Sequence, residues 1–199
     1  DPGLGLLNSV DKYDRIENEY YENNLEENSS RAFELSQIKE IHKNKEQTIP
    51  YRHLVTLSQS KESVDEIEKT LIRTGDINEL NKSEKDKLKS KIKCIEGWIK
   101  NHAPESVKFE IQMKPPSIDF SKDELNRIKE LSEQIGSIIW SPEKIHDSFY
   151  ELQEKYNTPA KEYFKIMYLT ILGKERGPRL GFFLATMEQK FVVERLNSY

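Results

Sequence analysis

The sequence is poor in the residues from which active centres are usually built. It holds a single cysteine, Cys94, so neither an intrachain disulfide nor a thiolate metal site can be made, and a reducing, cytosolic setting is expected. The four histidines, His42, His53, His102 and His146, stand far apart without cysteine partners, so no metal site is expected of them. Gly3-Leu4-Gly5 lacks the third glycine and the preceding strand of a dinucleotide fingerprint, and there is no Walker A sequence. Acid pairs such as Glu26-Glu27 and Asp123-Glu124 read as surface or capping groups, and no catalytic residue is assigned. No apolar run approaches the roughly 20 residues that span a bilayer, so no membrane partner is expected. Asp1-Pro2-Gly3 has neither an initiator methionine nor a basic leader, and the chain reads as a piece of something larger.

What is present is charge and helical periodicity. Charged residues make up 33% of the 199, and mean hydropathy is -0.80, yet apolar residues recur at helical spacing throughout. The pattern predicts an all-α protein with at most one short extended segment, in two packed helical subdomains, 1–113 and 114–199. Leu4 to Tyr21 reads as a helix. Arg31 to Gln37 is compatible with a strand or a loop. Pro50 suits the first turn of a helix through Leu54 and Leu57, and Ser63 with Glu66 caps a second that ends at Gly75. Ser83 opens the longest helix, with Leu88, Ile92, Ile95 and Ile99 as its buried stripe, Trp98 beside it and Cys94 as a small core residue. Ala103-Pro104-Glu105 stops it. Val107 to Ile111 alternates like an extended segment and is the expected hinge, with Lys114-Pro115-Pro116-Ser117 as linker.

Further on, Ser121 with Glu124, Ser141 with Pro142, and Thr158 with Pro159 mark three more helix starts. The helix after Pro159 is apolar nearly all round and should be the buried centre of a C-terminal bundle. It runs into Leu172-Gly173-Lys174-Glu175-Arg176-Gly177-Pro178-Arg179-Leu180-Gly181. Gly173 can end that helix in a left-handed conformation, and Pro178 can open the next at its first position. Lys174, Arg176 and Arg179 would then stand around a helix N-terminus, beside a glycine that lets another molecule approach closely, which is a place for an anion or a nucleotide. Phe182-Phe183 and Tyr20-Tyr21 read as packing doublets. Net charge is -4, which argues against indiscriminate gripping of nucleic acid and against a DNA partner; from Thr158 to Tyr199, however, seven Lys or Arg meet four Glu, leaving a basic end on an acidic body.

The run Tyr163 to Gly181 resembles the C-terminal signature of class I lysyl-tRNA synthetases. Asp11 to Glu17, Arg31 to Gln37, Pro50 to Leu57 and Trp98 to Glu105 are similar to further blocks of that family. The resemblance implies a connecting helical region followed by a helix cage that holds the anticodon of lysine tRNA. On it, Gly177, Pro178, Arg179 and Leu180 are the expected anticodon-binding residues, and Lys165, Lys174 and Arg176 the expected phosphate holders. The family's catalytic motifs, His-x-Gly-His and Lys-Met-Ser-Lys-Ser, are both missing here, so the adenylate chemistry and its ATP would belong to another part of the parent enzyme. One departure is Met187-Glu188, where the family has a small turn residue. A glutamyl-type anticodon domain fits the Tyr13-to-Glu17 and Gly177-to-Gly181 blocks less well. The alternative of a different class is a helical protein-docking module whose C-terminal apolar helices form the docking face.

Overall fold

The computed structural model describes residues 2–38, 41 and 49–199; His42 and the polar stretch to Thr48 lie outside them. Ten α-helices are present among the described residues, and no strand. The first five are α1 (Pro2–Tyr21), α2 (Glu27–Ser36), α3 (Tyr51–Ser60), α4 (Val64–Thr74) and α5 (Lys82–Asn101). The other five are α6 (Lys122–Ser137), α7 (Pro142–Tyr156), α8 (Ala160–Leu172), α9 (Leu180–Ala185) and α10 (Gln189–Leu196).

Many helix ends follow from local chemistry. The hydroxyl of Ser121 accepts from the backbone N–H of Glu124 while the Glu124 carboxylate accepts from the N–H of Ser121, a complete capping box that holds the Glu124 carboxyl below its usual range. Ser63 caps α4 through Glu66 N–H, and Ser141 caps α7 ahead of Pro142. Gly75 and Gly173 end α4 and α8 with φ of 80° and 66°, where a Cβ would be strained. The long helix α5 starts one step earlier than expected, because Asn81 makes the capping box with Glu84 and Ser83 is already inside.

Three further expectations are corrected. Arg31 to Gln37 is not extended: residues up to Ser36 belong to α2, which buries Phe33 against the rings of Tyr13 and Tyr20. Cys94 is exposed, because it precedes Ile95 by one position and so lies about 100° around the helix from it. The start of α8 is set by Pro159 at the cap with no side-chain cap bond, and Thr158 donates instead to the carbonyl of Tyr156.

Two apolar cores form. Leu54, Leu57, Leu71, Ile92 and Ile95 lead the first, in α3 to α5, and Ile135, Phe149, Tyr163, Ile171 and Leu196 lead the second, in α6 to α10. The doublet on α9 joins them. Successive helical residues point about 100° apart, and here Phe182 inserts into the first core while Phe183 inserts into the second.

Residues 103–116 cross between the cores, and the expected hinge is pinned along its length. Gln59 binds this strap at two points, accepting from Phe109 N–H and donating to the carbonyl of Val107. Gln112 N–H donates to the carbonyl of Ile171 at 2.9 Å. Arg195, only 4% exposed, donates to the carbonyls of Thr170, Gln112 and Met113. The basic end of the chain therefore spends one of its seven cations inside the protein.

Candidate nucleic-acid interface

The corner between α8 and α9 does not begin a helix where the proline suggests. Pro178 lies two residues before α9, Arg179 takes the cap position, and α9 itself has only six residues. Gly173 to Gly177 and Arg179 are exposed, Pro178 is half-buried, and Leu180 is buried. The Tyr168 hydroxyl ties the corner down by donating to the carbonyl of Pro178. Burial pushes that phenol up to about 12.

Each glycine of the corner has a separate reason. A Cβ on Gly177 would lie 2.8 Å from the Tyr168 ring and from Leu172, so this glycine is required by the corner's own packing. A Cβ on Gly181 would lie 2.5 Å from the carbonyl oxygen of Pro142, so this one lets α9 sit against the start of α7.

The cations divide into engaged and unengaged. Lys165 is ion-paired with Glu175 at 2.9 Å, which raises the lysine and lowers the acid. Lys174 donates to the carbonyl of Lys108 on the strap at 3.1 Å. Among the described residues no acid pairs with Arg176 or Arg179. Arg179 is the better placed of the two, because it lines two clefts at the corner.

The first cleft, of about 370 Å³, is walled by Arg52 and His53 of α3, Ser106 and Phe109 of the strap, and the corner. Arg52 is held by α1: its Nε donates to Asp11 and one of its amino groups donates to Asn8 Oδ1 at 2.9 Å. The second cleft, of about 690 Å³, runs past His53, Asp76, Glu143, His146 and Tyr168. His53 lines both. Its Nδ1 lies 2.9 Å from Asp76 Oδ1, and its ring stacks on Phe182 with centroids 3.6 Å apart and planes 9° from parallel. Thr74 donates to the other oxygen of Asp76.

Arg52 and His53 are site residues that the sequence did not single out. They stand in the first turn of an ordinary amphipathic helix, and only their position beside the corner, more than 120 residues away in sequence, gives them meaning. The doublet Phe182-Phe183 offers no stacking platform, since both rings are buried. No exposed large apolar side chain lies beyond Tyr156; Phe164, Leu169 and Phe191 are half-buried. Glu188 is exposed as the cap residue of α10 and pairs with no cation of the corner, while the Met187 carbonyl accepts from Trp140 Nε1.

No family model matches this chain. Among curated proteins it is 32% identical over 200 residues to the lysine–tRNA ligase of Thermoplasma acidophilum, covering all of this chain and 38% of that protein. It is 34% identical over 203 residues to the lysine–tRNA ligase of Pyrococcus horikoshii, covering 98% of this chain and 39% of that protein. The lysine–tRNA ligase of Archaeoglobus fulgidus is 28% identical over 203 residues. The chain thus spans well under half the length of its relatives. Its homologues are archaeal lysine–tRNA ligases, and it matches them from end to end over somewhat more than a third of their length.

Proposed function

We propose that this chain is the C-terminal, tRNA-binding part of a class I lysine–tRNA ligase, with residues 1–113 as a connecting region and 114–199 as the bundle that holds the anticodon. ATP-dependent activation of lysine would be carried out by the remainder of the parent, and this part alone would not aminoacylate. In this reading Gly177, Pro178 and Arg179 receive an unpaired uracil of the lysine anticodon, and Leu180 contributes only through its backbone because its side chain is buried. The observation that carries it is Arg179: an exposed guanidinium without an acidic partner among the described residues, lining two clefts in a chain whose homologues act on tRNA.

The chemistry fits. Uracil presents acceptor, donor and acceptor along its pairing edge, which an arginine and the free backbone groups of an exposed turn can match. Lys174 and Arg176 would hold phosphates and fix register without reading sequence, as would Lys165 once released from Glu175. The competing idea of a protein-docking module draws no support from the buried apolar faces of the last helices.

The test is binding of the chain to the anticodon arm of lysine tRNA and to unrelated arms. The lysine arm should bind more tightly, and Arg179→Ala should cost roughly 1–3 kcal/mol of that preference without changing the helical content. Equal affinity of wild type and variant would remove Arg179 from the site. Lys174→Ala should make the salt dependence shallower by about one unit of slope while leaving the preference among arms intact.

A further inference from the structure

We infer that the RNA-binding site is composite: Arg52 and His53 of α3 complete it, so that one unpaired nucleotide sits in the 370 Å³ cleft with its phosphate on Arg52 and its base toward Arg179. This rests on the reading of the corner as an RNA site, and it adds residues, a ligand moiety and a location.

Size comes first. The cleft falls within the roughly 300–1,000 Å³ of sites that enclose small ligands. It brings together two arginines from distant parts of the chain, with Asp11 as its one carboxylate. The neighbouring cleft carries Asp76 and Glu143 and suits a phosphate less well.

Arg52 is built to be a fixed donor. Asp11 and Asn8 engage its Nε and one amino group, while the second amino group has no partner among the described residues. A guanidinium has five N–H donors, and clamping two of its nitrogens aims the rest at little further entropic cost. His53 is fixed in the same manner. Asp76 holds Nδ1 and Phe182 holds the ring face, while Nε2 has no partner among the described residues and the residue lines the cleft. Such clamping is superfluous for a solvated helix surface, and it is what a preorganised binding wall requires.

The test uses the whole chain and the anticodon arm of lysine tRNA with 4-thiouridine in place of the anticodon uridines. Because the base would lie between His53 and Arg179, irradiation of the wild type should crosslink the arm to the α3 peptide holding His53 as well as to the peptide holding Arg179. Arg52→Gln should weaken binding about tenfold and make the salt slope shallower by about one. His53→Gln should weaken binding several-fold, on the order of the loss of one hydrogen bond. Circular dichroism and the urea midpoint of each variant separate loss of contact from loss of fold. If Arg179→Ala weakens binding while Arg52→Gln and His53→Gln do not, and no crosslink reaches α3, the composite site is wrong and the corner alone stands. If the wild type does not distinguish the lysine arm from others, the underlying reading fails and this one with it.

Discussion

The helices α1 to α5 and the helices α8 to α10 treat their apolar residues differently. The first group leaves Leu4, Leu6, Tyr13, Leu35 and Ile72 in contact with solvent, whereas the last three helices expose no large apolar side chain. The cause lies in patterning. The helix α8 is apolar on nearly every face and is suited to the centre of a bundle, so α6, α7 and α10 close around it while α9 packs on α7. The early helices are amphipathic with broad polar faces, and their core is completed partly from outside, by Phe182. The better-closed bundle therefore supplies the foundation, and the looser half is secured to it by one phenyl ring, the pinned strap, and Lys61, whose ammonium donates to the carbonyl of Thr186 at 2.7 Å.

That comparison can be broken at its joint. Phe182→Ala should cost roughly 3–5 kcal/mol and split unfolding into two transitions, α1 to α5 melting first, as urea curves followed by circular dichroism and by tryptophan fluorescence would reveal. Coincident curves would mean that the halves are coupled by other contacts. Gly181→Ala tests the bundle side: with a backbone oxygen 2.5 Å from the new Cβ, it should cost about 1–3 kcal/mol and loosen α9 on α7, seen as faster amide exchange in α9.

A smaller effect sharpens the picture at the corner. Because the Tyr168 phenol is pushed up to about 12 in the folded chain, the unfolded chain loses its proton first as pH rises. The neutral phenol's contribution is therefore fully present below the unfolded value near 10 and is lost as pH climbs through that of the folded chain, by on the order of 1–2 kcal/mol. Tyr168→Phe should lose about 1 kcal/mol at neutral pH and flatten the alkaline decline between about pH 10 and 12. An unchanged pH profile would show that the corner opens to solvent in the folded protein.

Much of the fold was legible because helix ends are local events. Ser63, Ser121 and Ser141 cap by bonding to residues three positions on, and Gly75 and Gly173 take conformations that other residues resist. Where two neighbouring polar residues could each cap, as Asn81 and Ser83, spacing alone did not decide. The site was less legible. The corner's cations could be seen, but not that Lys165 pairs with Glu175 or that Arg195 turns inward, since both depend on partners that folding brings near. Arg52 and His53 fall in a block that resembles the family, but nothing in it gave them a role: their neighbours Asp11, Asp76 and Phe182 come from three other parts of the chain.

Because Arg195 of α10 fans its donors over the carbonyls of Thr170, Gln112 and Met113, the route of the strap is dictated by the last helix of the chain. No other side chain spreads donors in that planar geometry, and a lysine would reach such a trio with a single point charge. The carboxyl-terminal helix thus serves as a locking pin: if its end frays, the strap gains slack, and the mouth that Ser106, Phe109 and the corner frame changes its gauge for whatever strand must enter.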